Sequence, residues 1–429
     1  MKHYFLKCDI SGIQSFIFNV PSDSAARALK SRSFYVQNIA DDYLKQLKKF
    51  FKNDIVKELY NGGGNFYLEI GSNKAKEEID VKIHEISDKY LKKDIFPYIA
   101  YIEKDTEKIG DLLNKVNQKV QKTKMQRPVS FDLLDAKPEM IKNVDIFNEE
   151  GIKWHINGQI PKNTNGEALE FEEIAELSNG DKKLAALKLD VDNLGSLFTG
   201  RTEQEYRTMS DELNIFFDEK LLQLIKDLKM RQNIYVVFSG GDDCFLIGTW
   251  EKIFELAITL RRKFTEFQKD LKEKIASLPK EDITFSAGII VFQPHFPMLQ
   301  LAGEVEEALK ASKRAKDKNS LTVFGKTLKW EEFEKTQKLS ETLEGLINNK
   351  EESKSLIMIF RLVYPQKKEM PRVWRLKYYL QRNVKDKDTI KPIFEDYSQS
   401  LLHRYVGNTS KNPDVYLVAS RWAELLLKK

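Results

Sequence analysis

The chain has 429 residues, 41% hydrophobic and 11% aromatic, enough to fill more than one core. Seventy Lys and Arg against 65 Asp and Glu leave a net charge of only +5, which excludes an overwhelming basic field for free nucleic acid while allowing local basic stretches. No apolar run approaches membrane-spanning length, Met1-Lys2-His3 leads into a strand pattern, and Cys8 and Cys244 form no Cys-x-x-Cys pair, so a soluble cytoplasmic protein with buried thiols and no zinc knuckle is expected.

The first expected domain covers 1–102. An apolar strand ends on Leu6-Lys7-Cys8-Asp9-Ile10-Ser11, and a helical pattern over 28–51 follows. A glycine hairpin, Asn61-Gly62-Gly63-Gly64-Asn65, then leads to an amphipathic helix over 74–91 and a strand over 96–102. Residues 103–182 read as a connecting subdomain. It has a polar helix over 106–124, Arg127-Pro128, irregular sequence with Asn157, Gly158, Asn163, Asn165 and Gly166, and a short acidic helix over 169–177.

The third expected domain, 183–327, repeats the first. A strand ends on Asp190-Val191-Asp192, a helix covers 203–230, and two β-prone runs flank Ser239-Gly240-Gly241-Asp242-Asp243. A helix over 251–275, a strand over 283–291 and a helix over 301–316 carrying Lys310 and Lys313 complete it. The strand-end Asp precedes the glycine pair by fifty-three residues in one copy and fifty in the other. Strand–helix–hairpin–helix–strand, twice, predicts an α+β protein with a pseudo-symmetric pair of ferredoxin-like palms. The first palm has Gly64 and Asn65 where the second has Asp242 and Asp243, so it lacks the metal carboxylates while remaining able to form half of a nucleotide pocket. Beyond Phe324-Gly325 the β signals stop. Helical patterns over 330–347, 353–364, 373–382, 389–405 and 412–427 predict a C-terminal bundle, 328–429. Its basic residues, Lys367, Lys368, Arg372, Arg375, Lys377 and Arg382, read either as a solvated face or as a surface for protein partners or RNA backbone.

Carboxylates at the ends of neighbouring strands are what a two-metal nucleotidyl-transfer site needs, because Mg²⁺ or Mn²⁺ takes oxygen ligands and a metal pair clamps the attacking and leaving oxygens. Gly240 and Gly241 leave room for a triphosphate to approach the backbone. A plain exposed hairpin turn also accounts for this tetrapeptide, but Asp-x-Asp on the preceding strand favours the metal reading. Small residues around Ser286 leave space for a base or ribose, or simply pack, and Lys313 is either a phosphate contact or solvent-exposed.

Asp190-Val191-Asp192-Asn193-Leu194-Gly195, the Gly240-Gly241-Asp242-Asp243 hairpin, Phe285-Ser286-Ala287-Gly288 and Leu321-Thr322-Val323-Phe324-Gly325 resemble the large polymerase/cyclase-like subunit of type III CRISPR effector complexes in its Csm-type form. Asp9-Ile10-Ser11-Gly12-Ile13-Gln14 and Gly62-Gly63-Gly64-Asn65-Phe66-Tyr67 resemble that family's first palm, and Tyr378-Tyr379-Leu380 and Trp422-Ala423 its last domain. The second palm is in turn similar to GGDEF-type diguanylate cyclases. The resemblance implies conversion of ATP to cyclic oligoadenylate when the complex binds target RNA, with the other effector subunits, guide RNA and target RNA as partners and no membrane. It implies metal binding at Asp190, Val191, Asp242 and Asp243, with Asp242 and Asp243 catalytic. Ser239, Gly240, Gly241, Ser286 and Lys313 would line the donor nucleotide, and Ser11, Gly12, Gly62, Gly63 and Gly64 the acceptor ATP.

Two departures from the family are visible. Many members begin with an HD nuclease domain, whereas this chain starts at the first palm with five scattered histidines, so DNA cutting is not expected. Many carry a four-cysteine zinc site between the palms, whereas that segment here has no cysteine, so no zinc is expected. A stand-alone palm cyclase or polymerase and a non-catalytic nucleotide-binding scaffold are the competing functions.

Overall fold

The structure is a computed structural model that describes residues 1–21, 25–52, 54–62, 64–88, 95–106, 109–125, 159–198, 200–365, 369–408 and 410–428. Gly63, Arg127, Pro128, Asn157, Gly158, Lys367 and Lys368, all singled out in the sequence, lie outside the described residues.

Strands β1 (Lys2–Ser11), β2 (Ile55–Gly62), β3 (Asn65–Ser72) and β4 (Phe96–Glu103) form an antiparallel sheet in the order β2-β3-β1-β4. Helices α1 (Ile13–Phe18), α2 (Ala25–Phe50) and α3 (Lys76–Asp88) lie between them in sequence, giving the ferredoxin-like succession. Period-two alternation on β1 sends Tyr4, Leu6, Cys8 and Ile10 into one core, where they meet the α2 stripe of Leu29, Val36, Ile39, Tyr43 and Leu47. Phe5 points the other way. It packs with Tyr67 against Leu112, Leu113 and Val116 of α4 (Ile109–Met125). That helix, read in the sequence as the start of a connecting segment, thus covers the second face of the first sheet.

The second sheet contains β5 (Leu184–Val191), β6 (Ile234–Gly240), β7 (Asp243–Thr249) and β8 (Phe285–Phe292) in the equivalent order β6-β7-β5-β8. The short α5 (Phe171–Glu176) precedes it. Between β5 and β6 run α6 (Leu194–Phe198), α7 (Glu203–Asn214), a π-helical turn over Ile215–Lys220 and α8 (Leu221–Asp227). Helix α7 starts where Thr202 and Glu205 form a reciprocal capping box, a signature visible in Thr202-Glu203-Gln204-Glu205. Helices α9 (Trp250–Lys274) and α10 (Met298–Arg314) follow β7 and β8. Two further strands, β9 (Ser320–Val323) and β10 (Lys326–Lys329), extend the sheet beyond β8. The expectation that β structure ends at Gly325 is therefore corrected. Phe324 (φ 51°) and Gly325 (φ 70°) make a two-residue left-handed turn, which favours a tight hairpin.

The internal repeat holds in register. Asp9 faces Asn65 across β1 and β3, and Asp190 faces Asp243 across β5 and β7. Gly62 pairs with Asn65 and Gly240 with Asp243, and each hairpin carries a bulge, between Glu58 and Tyr60 or between Val236 and Phe238.

The palms meet reciprocally: α2 of the first lies on β6, and α7 of the second lies on β2. Lys30 Nζ donates to the carbonyls of Val236 (3.2 Å) and Val237 (3.5 Å) and to Gln159. Arg207 Nη2 donates to the Glu58 carbonyl at 2.6 Å. Glu58 and Val236 are the equivalent bulge residues, so each palm sends a cation to the other's bulge. Phe18 and Phe245 add a ring contact at 4.7 Å between centroids.

Helices α11 (Trp330–Asn348), α12 (Ser355–Val363), α13 (Trp374–Arg382), α14 (Lys387–Tyr405) and α15 (Asp414–Leu426) pack around Leu343, Phe360, Tyr397 and Tyr416. Trp422 of α15 meets Phe254 of α9 at 4.7 Å, which ties the bundle to the second palm. Among the described residues no helix is long and apolar enough to cross a membrane.

Lys30 is 6% exposed, and burial lowers its pKa to about 8. Lys30→Ala strands the bulge carbonyls it serves and should cost about 2–4 kcal/mol in urea unfolding, while Lys30→Met, which keeps the stem, should cost less.

Candidate functional site

The β6–β7 hairpin tip is held from three sides. Gly240 (φ 141°) and Gly241 (φ 64°) have backbone angles that side chains disfavour. A Cβ on Gly241 would sit 2.7 Å from the Tyr60 hydroxyl oxygen of the first palm, whereas Gly240 faces open space. The Gly241 N–H donates to Asn214 Oδ1 at 2.7 Å, and the Val191 N–H donates to the Asp242 carbonyl at 3.0 Å. Asn214 is the last residue of α7 before the π-helical turn. Neither Asn214 nor Tyr60 stands out in the sequence, because their role depends on a packing of palm on palm.

This tip brings Asp190, Asp242 and Asp243 to one end of the sheet. Burial and the charge of Asp190 push Asp242 up to about 6. Burial and the charge of Asp242 push Asp243 up to about 7. Burial also raises Asp190, although its carboxylate is bonded by Lys313 from α10. Among the described residues no three His, Cys, Asp or Glu side chains are grouped to hold a metal ion as they stand. The donor set nevertheless fits a hard divalent cation. It offers only oxygen ligands, and it carries mutual repulsion that a cation relieves.

Other expected positions have different surroundings. Ser286 is fully buried, and its hydroxyl donates to Asp192 at 2.8 Å. Asp192 also accepts from Thr284 Oγ1 and the Asn319 N–H and so locks the end of β5 to its surroundings. The Ser239 hydroxyl, on β6, is buried with no hydrogen-bond partner. In the first palm, Ser11 ends β1 and Gly12 (φ 84°) opens α1, its carbonyl accepting from the Phe16 N–H. Gly64 (φ 78°) is packed so closely that a Cβ would lie 2.6 Å from Ile13 Cδ1.

Between the palms lies a cavity of about 280 Å³, with Tyr60, Asn65 and Asn117 on one wall and Tyr206, Gly241 and Asp242 on the other. Among the described residues the first palm contributes Lys7 of β1, Tyr60 of β2, Asn65 and Tyr67 of β3 and Asn117 of α4 to this lining, and Ser11, Gly12 and Gly64 are not part of it. Lys7 and Tyr67 share that wall, and both bond Asn117 Oδ1, at 2.9 and 3.2 Å. Burial, then the charges of Asp242 and Asp243, push the Tyr60 hydroxyl up, so it stays a neutral O–H over the hairpin.

Residues 183–322 match the model of the Cas10/Cmr2 second palm domain, and residues 2–136 match that of Csm1 subunit domain B. Both palms of the chain are thus similar to domains of Cas10/Csm1 proteins. Relatives described as the CRISPR system single-strand-specific deoxyribonuclease Cas10/Csm1 (subtype III-A) include those of Enterococcus italicus, 24% identical over 90% of this chain, and Methanocaldococcus jannaschii, 25% identical over 82%. The chain spans 63% of the length of each. The crystal structure of a Csm1–Csm4 cassette in complex with cA3 matches the whole chain at a TM-score of 0.71 and 18% identity, covering 70% of that chain. A cassette in complex with AMPPNP matches at 0.70 and 17%, with the same coverage. The Cas10/Csm1 fold therefore runs through both palms and the C-terminal bundle.

Two measurements probe the hairpin. A carboxyl raised in the folded state adds stability below its unfolded pKa and loses it as pH rises through the folded value, here from about 4 to about 7 for Asp243. Asp243→Asn should therefore raise metal-free stability by on the order of 1 kcal/mol at pH 8 and leave it unchanged near pH 4, read by chemical unfolding at both pH values. Gly241→Ala should lower stability by about 2 kcal/mol, and adding Tyr60→Phe should recover part of that by removing the clashing hydroxyl, in a double-mutant cycle.

Proposed function

We propose that this chain is a metal-dependent nucleotidyltransferase that joins ATP into cyclic oligoadenylate as the large subunit of a cytoplasmic type III-A CRISPR effector complex. The observation that carries the reading is the hairpin holding Asp242 and Asp243 beside Asp190 at the mouth of a cavity whose opposite wall is the other palm. A scaffold would gain nothing from three carboxylates kept at the expense of mutual repulsion. The description of the cA3-bound cassette is in keeping with this product.

In this reading Asp190, Val191, Asp242 and Asp243 hold Mg²⁺ or Mn²⁺. When bound, the metal lowers the pKa of a ribose 3′-hydroxyl and stabilises charge on the leaving pyrophosphate. The chain's own residues do the rest. Gly240, with open space above it, admits the donor triphosphate, and Asn214 fixes the tip through the Gly241 N–H. Lys313 leaves Asp190 for phosphate oxygens as the ligands arrive, so one ion pair is exchanged for two favourable contacts. Ser239 offers a buried hydroxyl that lacks a partner. The first palm orients the acceptor ATP, and such orientation supplies several kcal/mol of barrier lowering. Guide and target RNA act through the assembled complex, and the exposed Trp374 and Tyr378 with Arg375 and Arg382 on α13 are available to a partner subunit. The divisions at 102/103, 182/183 and 327/328 remain part of the proposal, as does the lack of a bound zinc.

The deoxyribonuclease activity in the relatives' names is assigned to them and not to these 429 residues, whose five histidines are scattered. Purified protein with Mn²⁺ should leave single-stranded DNA intact. With ATP, Mg²⁺, partner subunits and target RNA, mass spectrometry should detect cyclic oligoadenylate. Asp242→Ala with Asp243→Ala should reduce it at least about 100-fold with the fold intact by circular dichroism. Undiminished synthesis would refute the site.

A further inference from the structure

Helix α10 comes down onto the second sheet at Gly288 of β8. A Cβ there would lie 2.5 Å from the Leu309 nitrogen and 2.7 Å from the Val305 oxygen, so a glycine is what lets the helix backbone approach the strand. Gly288 pairs with Lys188 across β8 and β5, which sets the helix beside Lys188.

Two ion pairs tie helix to strand at this crossing. Lys188 and Asp190 are two residues apart and share a face of β5, while Glu306 and Lys313 are two turns apart on one face of α10. Lys188 Nζ donates to Glu306 Oε2 at 2.6 Å, and Lys313 bonds Asp190 Oδ1. Their polarity is opposite. The strand supplies the cation to the first pair and the anion to the second. A slide of α10 by one turn would bring Lys310 to Lys188, cation against cation, so the alternation specifies one register.

The pairs differ in burial. The Lys188 side chain is 7% exposed, against 30% for Lys313. Burial alone would raise the Glu306 carboxyl, but the Lys188 hydrogen bond and charge hold it below its ordinary range, so it stays a carboxylate. Glu306 also accepts from the Gln14 side chain of α1, in the first palm. An apolar residue between Phe245 and Gly288 would avoid the cost of burying the Lys188 ammonium, so stability does not account for the pair. Neither Lys188 nor Glu306 lines the cavity between the palms, so they act on the site from behind it.

We propose that Lys188 and Glu306 are positioning residues of the donor site: their buried pair is the fixed rung that holds α10 in register while the more exposed rung, Lys313 on Asp190, opens to give its ammonium to the triphosphate. Gln14 ties the fixed rung to the first palm. This rests on the role proposed above for Lys313. With one rung fixed, opening the other needs a side-chain rotation and no shift of the helix, and the ammonium arrives already placed.

The test replaces the pair without changing net charge. Lys188→Met with Glu306→Leu puts two apolar side chains where the ion pair was, and the melting temperature of the full chain should stay the same or rise. Calorimetry with α,β-methylene ATP and Mg²⁺ should nevertheless show binding weakened at least about fivefold. Lys313→Ala alone should weaken binding at least about tenfold, and in the pair-replaced chain it should add little, because its ammonium is already misplaced there. Lys188→Gln with Glu306→Gln, a polar neutral pair, should weaken binding in the same direction and serves if the apolar pair does not fold. Wild-type affinity in a stable pair-replaced chain, or full additivity of the pair replacement with Lys313→Ala, would overturn the proposal. Cyclic product from ATP is read separately by mass spectrometry. Coupled binding with no product from the wild-type chain would sink the proposed reaction and keep the fixed rung, and product with additive effects would sink the rung alone.

Discussion

Everything in the site depends on how one palm grips the other. Each hairpin strand carries a bulge, and a cation from the opposite palm, Lys30 or Arg207, donates to a carbonyl exposed there. A bulge frees a carbonyl from the ladder, and a buried carbonyl requires a donor, so the two surfaces have little freedom to slide. That grip sets Tyr60 over Gly241 and encloses the cavity. A glycine is required at 241 both by its φ of 64° and by the neighbouring palm.

On this symmetric frame the chemistry is asymmetric. Burial is a standing cost for Asp190, Asp242 and Asp243 and raises all three, with repulsion from Asp190 adding to it at Asp242 and repulsion from Asp242 at Asp243; the cost persists because the backbone fixes their positions. Lys313 offsets part of that cost in the ligand-free chain by pairing with Asp190. The first palm keeps the frame without the cost. Its acids are replaced by Gly64 and Asn65, and its core packs more tightly at the hairpin, where Gly64 leaves no room for a Cβ beside Ile13.

Much of this was legible in the sequence. Alternating apolar strands, helical stripes and the two glycine hairpins define both palms, and the similar spacings of fifty-three and fifty residues from Asp9 and Asp190 to the glycine pairs align the two hairpins. The acids at the tip are likewise readable, since Gly-Gly-Asp-Asp between apolar runs leaves them no core to enter. Contacts between distant segments were not readable. The hydrogen bond from Ser286 to Asp192, between strands nearly a hundred residues apart, is one of them. Asn214 and Tyr60 gain their roles only when α7 and β2 meet the hairpin, and α4 reads as a polar helix of a connecting subdomain until Phe5 and Tyr67 are seen to need a cover. Strand β10 was missed because Phe324 at positive φ is an unusual turn residue.

The central claim is that one frame serves as a metal site in the second palm and as a metal-free site in the first. The most direct measurement is anomalous scattering from crystals of the full chain grown with Mn²⁺ and a non-hydrolysable ATP analogue. The account predicts manganese peaks at Asp190, Asp242 and Asp243 and none beside Asp9 and Asn65. Manganese bound at Asp9, or its absence from the second-palm hairpin while nucleotide is present, would contradict it.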